Sequence, residues 1–176
     1  MAIFIVVIAI AGPITIAQKG LIAALVAKDQ VNAFYLAQDA VEYVRFVRDT
    51  NRLSSAPTGW LAGLDGTANG HTLTRSGATP GSCVSSDGLR QCTIDSLKDF
   101  VEACDTTCPR LNYDPSTNGG YYTYESGGPS LYTRTISIQT VPSNPREVSL
   151  VVKVSWQDTA NIIRSVTVHE NLLDWQ

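Results

Sequence analysis

The sequence predicts an α+β fold in which one long N-terminal helix packs on a four-stranded antiparallel sheet. Three observations predict this fold. Residues 1–52 carry a helical pattern that begins entirely apolar and becomes two-sided. Residues 53–120 are rich in Gly, Ser, Thr, Asp and Asn, and they contain all four cysteines. Residues 121–176 alternate between polar and apolar side chains, which is typical of strands.

The first part of the predicted helix, residues 1–27, is apolar on every face. Residues 1–17 (MAIFIVVIAIAGPITIA) contain no charged side chain, and as a helix they would extend about 25 Å, against roughly 30 Å for the hydrocarbon core of a membrane. A secretory signal peptide would begin with basic residues, and a buried helix of a soluble protein is rarely apolar all round. We therefore expect a membrane-spanning segment whose first turn or two is missing.

Residues 28–52 continue the helix without a Pro or Gly and become amphipathic. The opposite face is polar, and Glu42 and Arg45 have the i,i+3 spacing that favours an ion pair. The helix should end near Asn51, before the Ser-Ser-Ala-Pro sequence at 54–57. Apolar side chains recur with a period of 3.6 and predict one buried stripe, formed by Phe34, Leu36, Ala37, Ala40, Val41, Val44 and Val47.

The middle region, residues 53–120, reads as a loop that Trp60, Leu61 and Leu64 anchor on the core. A short helix is predicted near residues 95–104, because Leu97, Phe100, Val101 and Cys104 have i, i+3, i+4, i+7 spacing. Asp95 or Ser96 would cap that helix at its N-terminus, and it would end before Pro109.

The cysteines are Cys83, Cys92, Cys104 and Cys108. Two local disulfides, Cys83–Cys92 and Cys104–Cys108, suit an exported loop domain, although four cysteines allow three pairings and spacing does not choose among them. A zinc site would need a second short spacing besides Cys104–Cys108, and Cys83 and Cys92 are too far apart in sequence to provide it.

The last third of the chain predicts four strands, near residues 121–125, 131–141, 148–156 and 166–172. The short connections between them favour antiparallel neighbours. One face of this sheet needs a cover, and the amphipathic half of the helix has the right shape to provide it. The side chains predicted to face inward are Tyr132, Ile136, Ile138, Val148, Leu150, Val152, Val154, Trp156, Val166, Val168 and Leu172.

Residues 114–125 have the outline of a calcium-binding loop. Asp114, Ser116 and Asn118 offer oxygen ligands at alternate positions, a glycine follows, and Glu125 supplies a terminal carboxylate. Only two of these ligands are carboxylates and no helix flanks the loop, so the alternative is a polar turn that enters a strand. Calcium is the one cofactor that the sequence suggests.

Composition argues against catalysis and against nucleic-acid binding. The 13 Lys and Arg residues are scattered and are outnumbered by 16 Asp and Glu, which gives a formal net charge of −3. His71 and His169 are the two histidines, and the sequence has no Gly-x-Ser-x-Gly nucleophile motif and no phosphate-binding loop. His169 falls at an exposed position of a strand. We therefore expect a non-enzymatic protein.

An apolar helix that becomes amphipathic, then a Cys-containing loop and an antiparallel sheet, resembles the type IV pilin-like proteins: pilins, minor pilins and type II secretion pseudopilins. The stretches that carry the resemblance are AIFIVVIAIAGPITIA, FYLAQDAVEYVRFVRD, LYTRTISI and SLVVKVSWQD with SVTVHE. The family's short basic leader ending in glycine and its Phe-Thr-Leu-Ile-Glu motif are missing, so we expect the sequence to begin inside the family's helix.

The resemblance implies a structural subunit, of the minor type, in a type IV pilus or secretion pseudopilus. Its partners would be other pilin-like subunits, the inner-membrane assembly machinery and the prepilin peptidase. It would sit in the bacterial cytoplasmic membrane as a single-pass protein with an extracytoplasmic domain, and in a cell-surface filament after assembly. The alternative is a single-pass, membrane-anchored extracytoplasmic binding module. Small or kinked positions would allow close helix packing in the filament, namely Ala9, Ala11, Gly12, Pro13 and Ala17.

Overall fold

The computed structural model describes residues 2–54, 59–68, 82–104, 107–117 and 119–174, with side chains described from residue 14 onward. The chain divides into two compact units, Met1–Asn32 and Ala33–Gln176. Helix α1 (Ala2–Leu53) forms the described part of the first unit and contributes its last turns to the second. The predicted long N-terminal helix is therefore confirmed.

Within the second unit, α1 buries one stripe and leaves the other face in solvent. The buried side chains repeat at helical spacing: Ala33, Leu36, Ala37, Ala40, Val41, Tyr43, Val44 and Val47. The predicted stripe is confirmed except for Phe34, which is exposed because it lies one position beyond the edge of this face. The predicted ion pair between Glu42 and Arg45 is present at 2.7 Å.

The end of α1 is fixed by a buried amide. Asn51 is buried in the last turn, and its Nδ2 donates to the carbonyl oxygens of Trp60 (3.1 Å) and Ala62 (2.8 Å). Leu61 and Leu64 are buried in the core, which confirms the predicted anchor of this loop. The returning chain is tied to the sheet because the N–H of Cys83 donates to the carbonyl of Leu64 at 2.7 Å.

The described part of the second unit contains one eight-stranded sheet, so the prediction of a four-stranded sheet is wrong. Its strands are β1 (Val84–Ser85), β2 (Cys92–Asp95), β3 (Phe100–Ala103), β4 (Arg110–Asp114), β5 (Tyr121–Thr123), β6 (Gly128–Val141), β7 (Asn144–Gln157) and β8 (Ile163–Leu173). The four strands that the sequence did not predict, β1 to β4, lie in the middle region that was predicted to be mostly loop. They are too short for alternation to distinguish them from turns.

The long strand β6 organises the sheet. On one side it pairs along most of its length with β7, which pairs in turn with β8. On the other side it pairs with β4, β2 and β1 in succession, and β1 is the parallel neighbour. Strands β5 and β3 extend this side by pairing with β4 and β2. The remaining pairs are antiparallel, as predicted for the last third.

The short helix predicted near residues 95–104 is also wrong, because β2 and β3 form a hairpin there. Asp95 starts the turn, since its Oδ1 accepts from the N–H groups of Leu97 (3.1 Å) and Lys98 (3.2 Å). Asp99 ends the turn with φ of 52°, a conformation that Asp tolerates better than most residues. The aspartate predicted to cap a helix therefore caps a hairpin turn.

The core lies between the sheet and the buried stripe of α1. The alternating residues of β7, from Val148 to Trp156, are all buried as predicted, and so are Tyr132, Ile136 and Ile138 of β6. On β8, Leu172 is buried, while Val166 and Val168 are half-buried against the same cluster. The predicted inward faces of the last three strands are confirmed.

Candidate assembly interface

The described side chains of the first unit, residues 14–32, are almost all exposed although most of them are apolar. Large aliphatic side chains are prominent among them, with Ile16 at 73% and Leu21 at 64% exposure. Single exposed apolar residues are ordinary on protein surfaces, but a continuous series on one helix indicates an interaction surface. This segment is the candidate assembly interface.

One face of this segment carries small residues at alternating spacings of three and four. Ala17, Gly20, Ala24, Ala27 and Val31 follow that spacing, and each of them is exposed. This is the repeat at which two helices pack along a common seam, and small side chains allow the two backbones to approach closely. Ala17 was predicted as a packing residue, and it lies on this small-residue seam.

No contact described within the first unit explains why residue 20 is a glycine. A methyl group added there would meet nothing within 4 Å. Glycine inside a helix costs about 1 kcal/mol relative to alanine, so the chain accepts a cost that its own packing does not require. A neighbouring helix that approaches closely at this point would explain it.

The other predicted packing residues have a described backbone only. Ala9, Ala11, Gly12 and Pro13 lie within α1, but their side chains are outside the described residues. In the described part of the chain, no helix is both long enough and apolar enough to cross a membrane. The prediction of a single-pass anchor in the bacterial cytoplasmic membrane is therefore wrong.

A buried arginine joins α1 to the sheet within the second unit. Arg134 of β6 is 2% exposed, between the inward-facing residues of the same strand. Its Nη1 donates to the carbonyl of Leu36 (2.9 Å) and to Oδ2 of Asp39 (2.7 Å), and its Nη2 donates to the carbonyl of Ile94 (2.5 Å). Ser96 Oγ donates to the same Asp39 carboxylate at 2.8 Å. One side chain thus connects α1, β2 and β6.

A buried carboxylate, that of Asp95, supports this cluster. Asp95 Oδ2 accepts from the hydroxyl of Thr123 (2.6 Å) and from the N–H of Tyr124 (2.8 Å). Burial raises the pKa of the Tyr124 hydroxyl, and the positive charge of Arg134 opposes that rise. The hydrogen bonds of this cluster position α1 on the sheet.

The sequence did not predict that Arg134 and Asp95 would form buried hydrogen bonds between elements. A signal was present for the arginine: it falls at an inward position of the alternation that includes Tyr132 and Ile136. A charged residue at such a position predicts a buried partner, and buried arginines are paired when they occur. No pattern in the sequence pointed to Asp39 as that partner, 95 residues away.

Both predicted disulfides are present. Cys83 bonds to Cys92 and Cys104 bonds to Cys108, so all four cysteines are oxidised. The first disulfide connects the segment before β1 to β2, and the second closes the connection between β3 and β4. This pairing removes the thiolates that a zinc site would need.

The predicted calcium loop is a hydrogen-bonded turn in its described residues. Asp114 Oδ1 accepts from the N–H of Ser116 (2.9 Å), and Oδ2 accepts from the hydroxyls of Tyr121 (3.2 Å) and Ser126 (2.5 Å). These hydrogen bonds, with Ser126 foremost, hold the pKa of Asp114 well below its usual range. Protein donors therefore already use the oxygens that calcium would need.

Glu125, the predicted terminal carboxylate, has a basic partner within the described residues. Glu125 faces Lys98 at 3.6 Å, and Asn118 lies outside the described residues. Across the described ranges, no group of three or more His, Cys, Asp and Glu side chains could hold a metal ion. His169 is exposed on β8 as predicted, and His71 is outside the described residues.

The sequence and the structure match no protein-family model, no curated protein and no solved structure. The function must therefore be inferred from the chain's own residues, and the exposed helix of the first unit is the most informative of them.

Proposed function

We propose that this chain is a non-enzymatic structural subunit that assembles into a filament of the type IV pilus or secretion-pseudopilus kind. Its partners are other subunits with a similar helix, and the machinery that assembles such filaments acts on it. The exposed small-residue seam of the first unit carries this proposal. A helix of this composition is stabilised when it packs against helices of the same kind.

Two further observations support a subunit role. The second unit has a complete core and two disulfides, so it can be displayed as a stable body while the first unit packs. Disulfides persist in oxidising compartments, which favours a protein that functions outside the cytoplasm.

The test compares two variants: one places a carboxylate on the small-residue seam, and the other places a carboxylate on a different face of the same helix. Ala24 lies on the seam, whereas Gln30 is exposed on a different face of the helix. Ala24→Glu should abolish filaments in electron micrographs of the producing cells, because a carboxylate would be desolvated between packed helices. Gln30→Glu should leave filaments unchanged.

Subunit levels are measured by immunoblot in both strains, so that loss of the protein is not mistaken for loss of assembly. Normal filaments in the Ala24→Glu strain, or equal loss in both strains, would overturn the proposal.

A further inference from the structure

Strand β8 leaves a long open edge on the sheet. It spans 11 residues and, among the described residues, pairs on one side only, with β7. The other outer strands of the sheet are short: β1 has 2 residues, β3 has 4 and β5 has 3. Proteins usually protect a long edge with proline, lysine or a bulge. β8 has neither residue, and its register with β7 runs from Ile163 to Leu173 without a shift.

The direction of the free backbone groups follows from the last hydrogen bond of the ladder. The N–H of Asp174 donates to the carbonyl of Arg146 at 2.8 Å, so even-numbered residues of this strand face β7. Odd-numbered residues must then point their N–H and C=O groups to the open edge. Thr167 is the middle one of the five odd residues from Ile163 to Asn171.

The charges of β8 suit a second copy of the same strand. If two copies pair antiparallel with Thr167 opposite Thr167, Arg164 of each copy lies opposite Glu170 of the other. The same register places Val166 opposite Val168. Moving the centre of pairing by one residue, to Val166 or Val168, would place Arg164 and Glu170 opposite uncharged side chains. Opposite charges directly across a strand pair are stabilising, so the sequence favours this one register.

Arg164 and Glu170 each have side-chain atoms available for an ion pair with the second copy. Arg164 uses its Nε for Asp158 at 2.8 Å, which leaves both terminal nitrogens without a contact in the described part of the chain. Glu170 uses Oε1 for Arg45 at 2.7 Å, which leaves its second oxygen. An intermolecular pair would therefore extend these interactions instead of replacing them.

We propose that the β8 edge binds β8 of a second copy of this chain, antiparallel and centred on Thr167, and forms a two-fold dimer. The five odd residues from Ile163 to Asn171 would form about ten main-chain hydrogen bonds across the axis. A two-fold contact closes on itself, whereas helical assembly continues indefinitely. The inference is independent of the filament proposal, and the two can be tested separately.

Cysteine cross-linking tests the register. The native cysteines are all in disulfides, so Thr167→Cys introduces one free thiol. In the proposed dimer the two Thr167 Cα atoms lie about 5.5 Å apart, within the range of a disulfide. In Asn171→Cys, the matched control on the same exposed face, the two thiols would be about 27 Å apart. Oxidised Thr167→Cys should migrate as a dimer in non-reducing gels, and Asn171→Cys should remain monomeric.

Light scattering tests the dimer itself, in the full chain carrying Ala24→Glu so that helix-mediated assembly does not contribute. The mass should rise with concentration from 19.0 kDa to twice that value. Thr167→Glu should restore the monomer, because two carboxylates would meet on the axis. Within one chain Thr167 is opposite Lys153, so the new carboxylate suits the folded monomer.

Three results would overturn this inference. The first is a monomer at all concentrations up to about 1 mM, which would mean that the edge does not bind its own copy. The second is a dimer that persists in Thr167→Glu, and the third is equal cross-linking of the two cysteine variants. If Thr167→Glu fails to fold, the cross-linking comparison decides alone.

Discussion

Replacing Arg134 by methionine removes the side chain that connects α1 to the sheet. Methionine keeps an apolar chain about as long as the aliphatic stem of arginine and has no charge, so the change removes the guanidinium group. The change deletes three hydrogen bonds and leaves the carbonyls of Leu36 and Ile94 without this donor. A buried acceptor that loses its donor costs about 1–3 kcal/mol, so the loss of the donor to these two carbonyls should cost about 3 kcal/mol.

Asp39→Asn tests the other side of the same pair. The Asp39 side chain is 45% exposed, so solvent screens its interaction with Arg134. Its loss should cost about 1 kcal/mol or less, as for an exposed ion pair. The two partners should thus differ severalfold in their effect on stability, although they share one contact at 2.7 Å.

Urea unfolding followed by tryptophan fluorescence measures both variants. Arg146→Met is the matched control, because Arg146 is exposed and faces Asp174 at 3.7 Å. Arg134→Met should lower the free energy of unfolding by about 3 kcal/mol, and Arg146→Met should change it by less than about 1 kcal/mol. A loss below about 1 kcal/mol for Arg134→Met, or one equal to the control, would refute the view that this arginine joins helix and sheet.

Two further predictions concern the β4–β6 region. Gly127 has φ of 85° and approaches the backbone of Tyr113, so Gly127→Ala should lower the free energy of unfolding by about 2 kcal/mol or more in urea titrations. Gly128→Ala, where the added methyl meets nothing within 4 Å, is the control. Asp114 has a lowered folded-state pKa, so its stabilisation is complete above the unfolded pKa and is lost as the pH falls through the folded value. Asp114→Asn should therefore flatten the acid side of a stability–pH curve, and added calcium should leave the wild-type melting temperature unchanged; a calcium-dependent rise would contradict the turn assignment.

The elements that sequence analysis found are those with long, regular periodicity. Helix α1 offers many turns of pattern, and β7 offers five successive alternations from Val148 to Trp156. Hydrophobic periodicity detects such elements because one face is buried over their whole length. The two local disulfides were favoured for a related reason, since they join residues close in sequence.

The elements it missed depend on contacts that are distant in sequence. β1 is a two-residue strand that exists because it lies beside Ile138 of β6. The hairpin of β2 and β3 has the apolar spacing of a helix, but Asp95 caps a turn and its second oxygen is held by Thr123. Tertiary contacts of this kind override local spacing.

The two proposed surfaces differ in symmetry, and this difference constrains how they can operate together. Subunits in a filament are related by a screw operation that adds copies without limit, whereas a two-fold β8 contact joins two copies and then closes. The β8 contact therefore does not by itself extend a filament. The β8 pair would act before assembly or between neighbouring filaments. Thr167→Glu should accordingly leave single filaments intact while it removes dimers of free subunits or lateral bundles, whereas Ala24→Glu should remove the filaments and leave the dimers of free subunits.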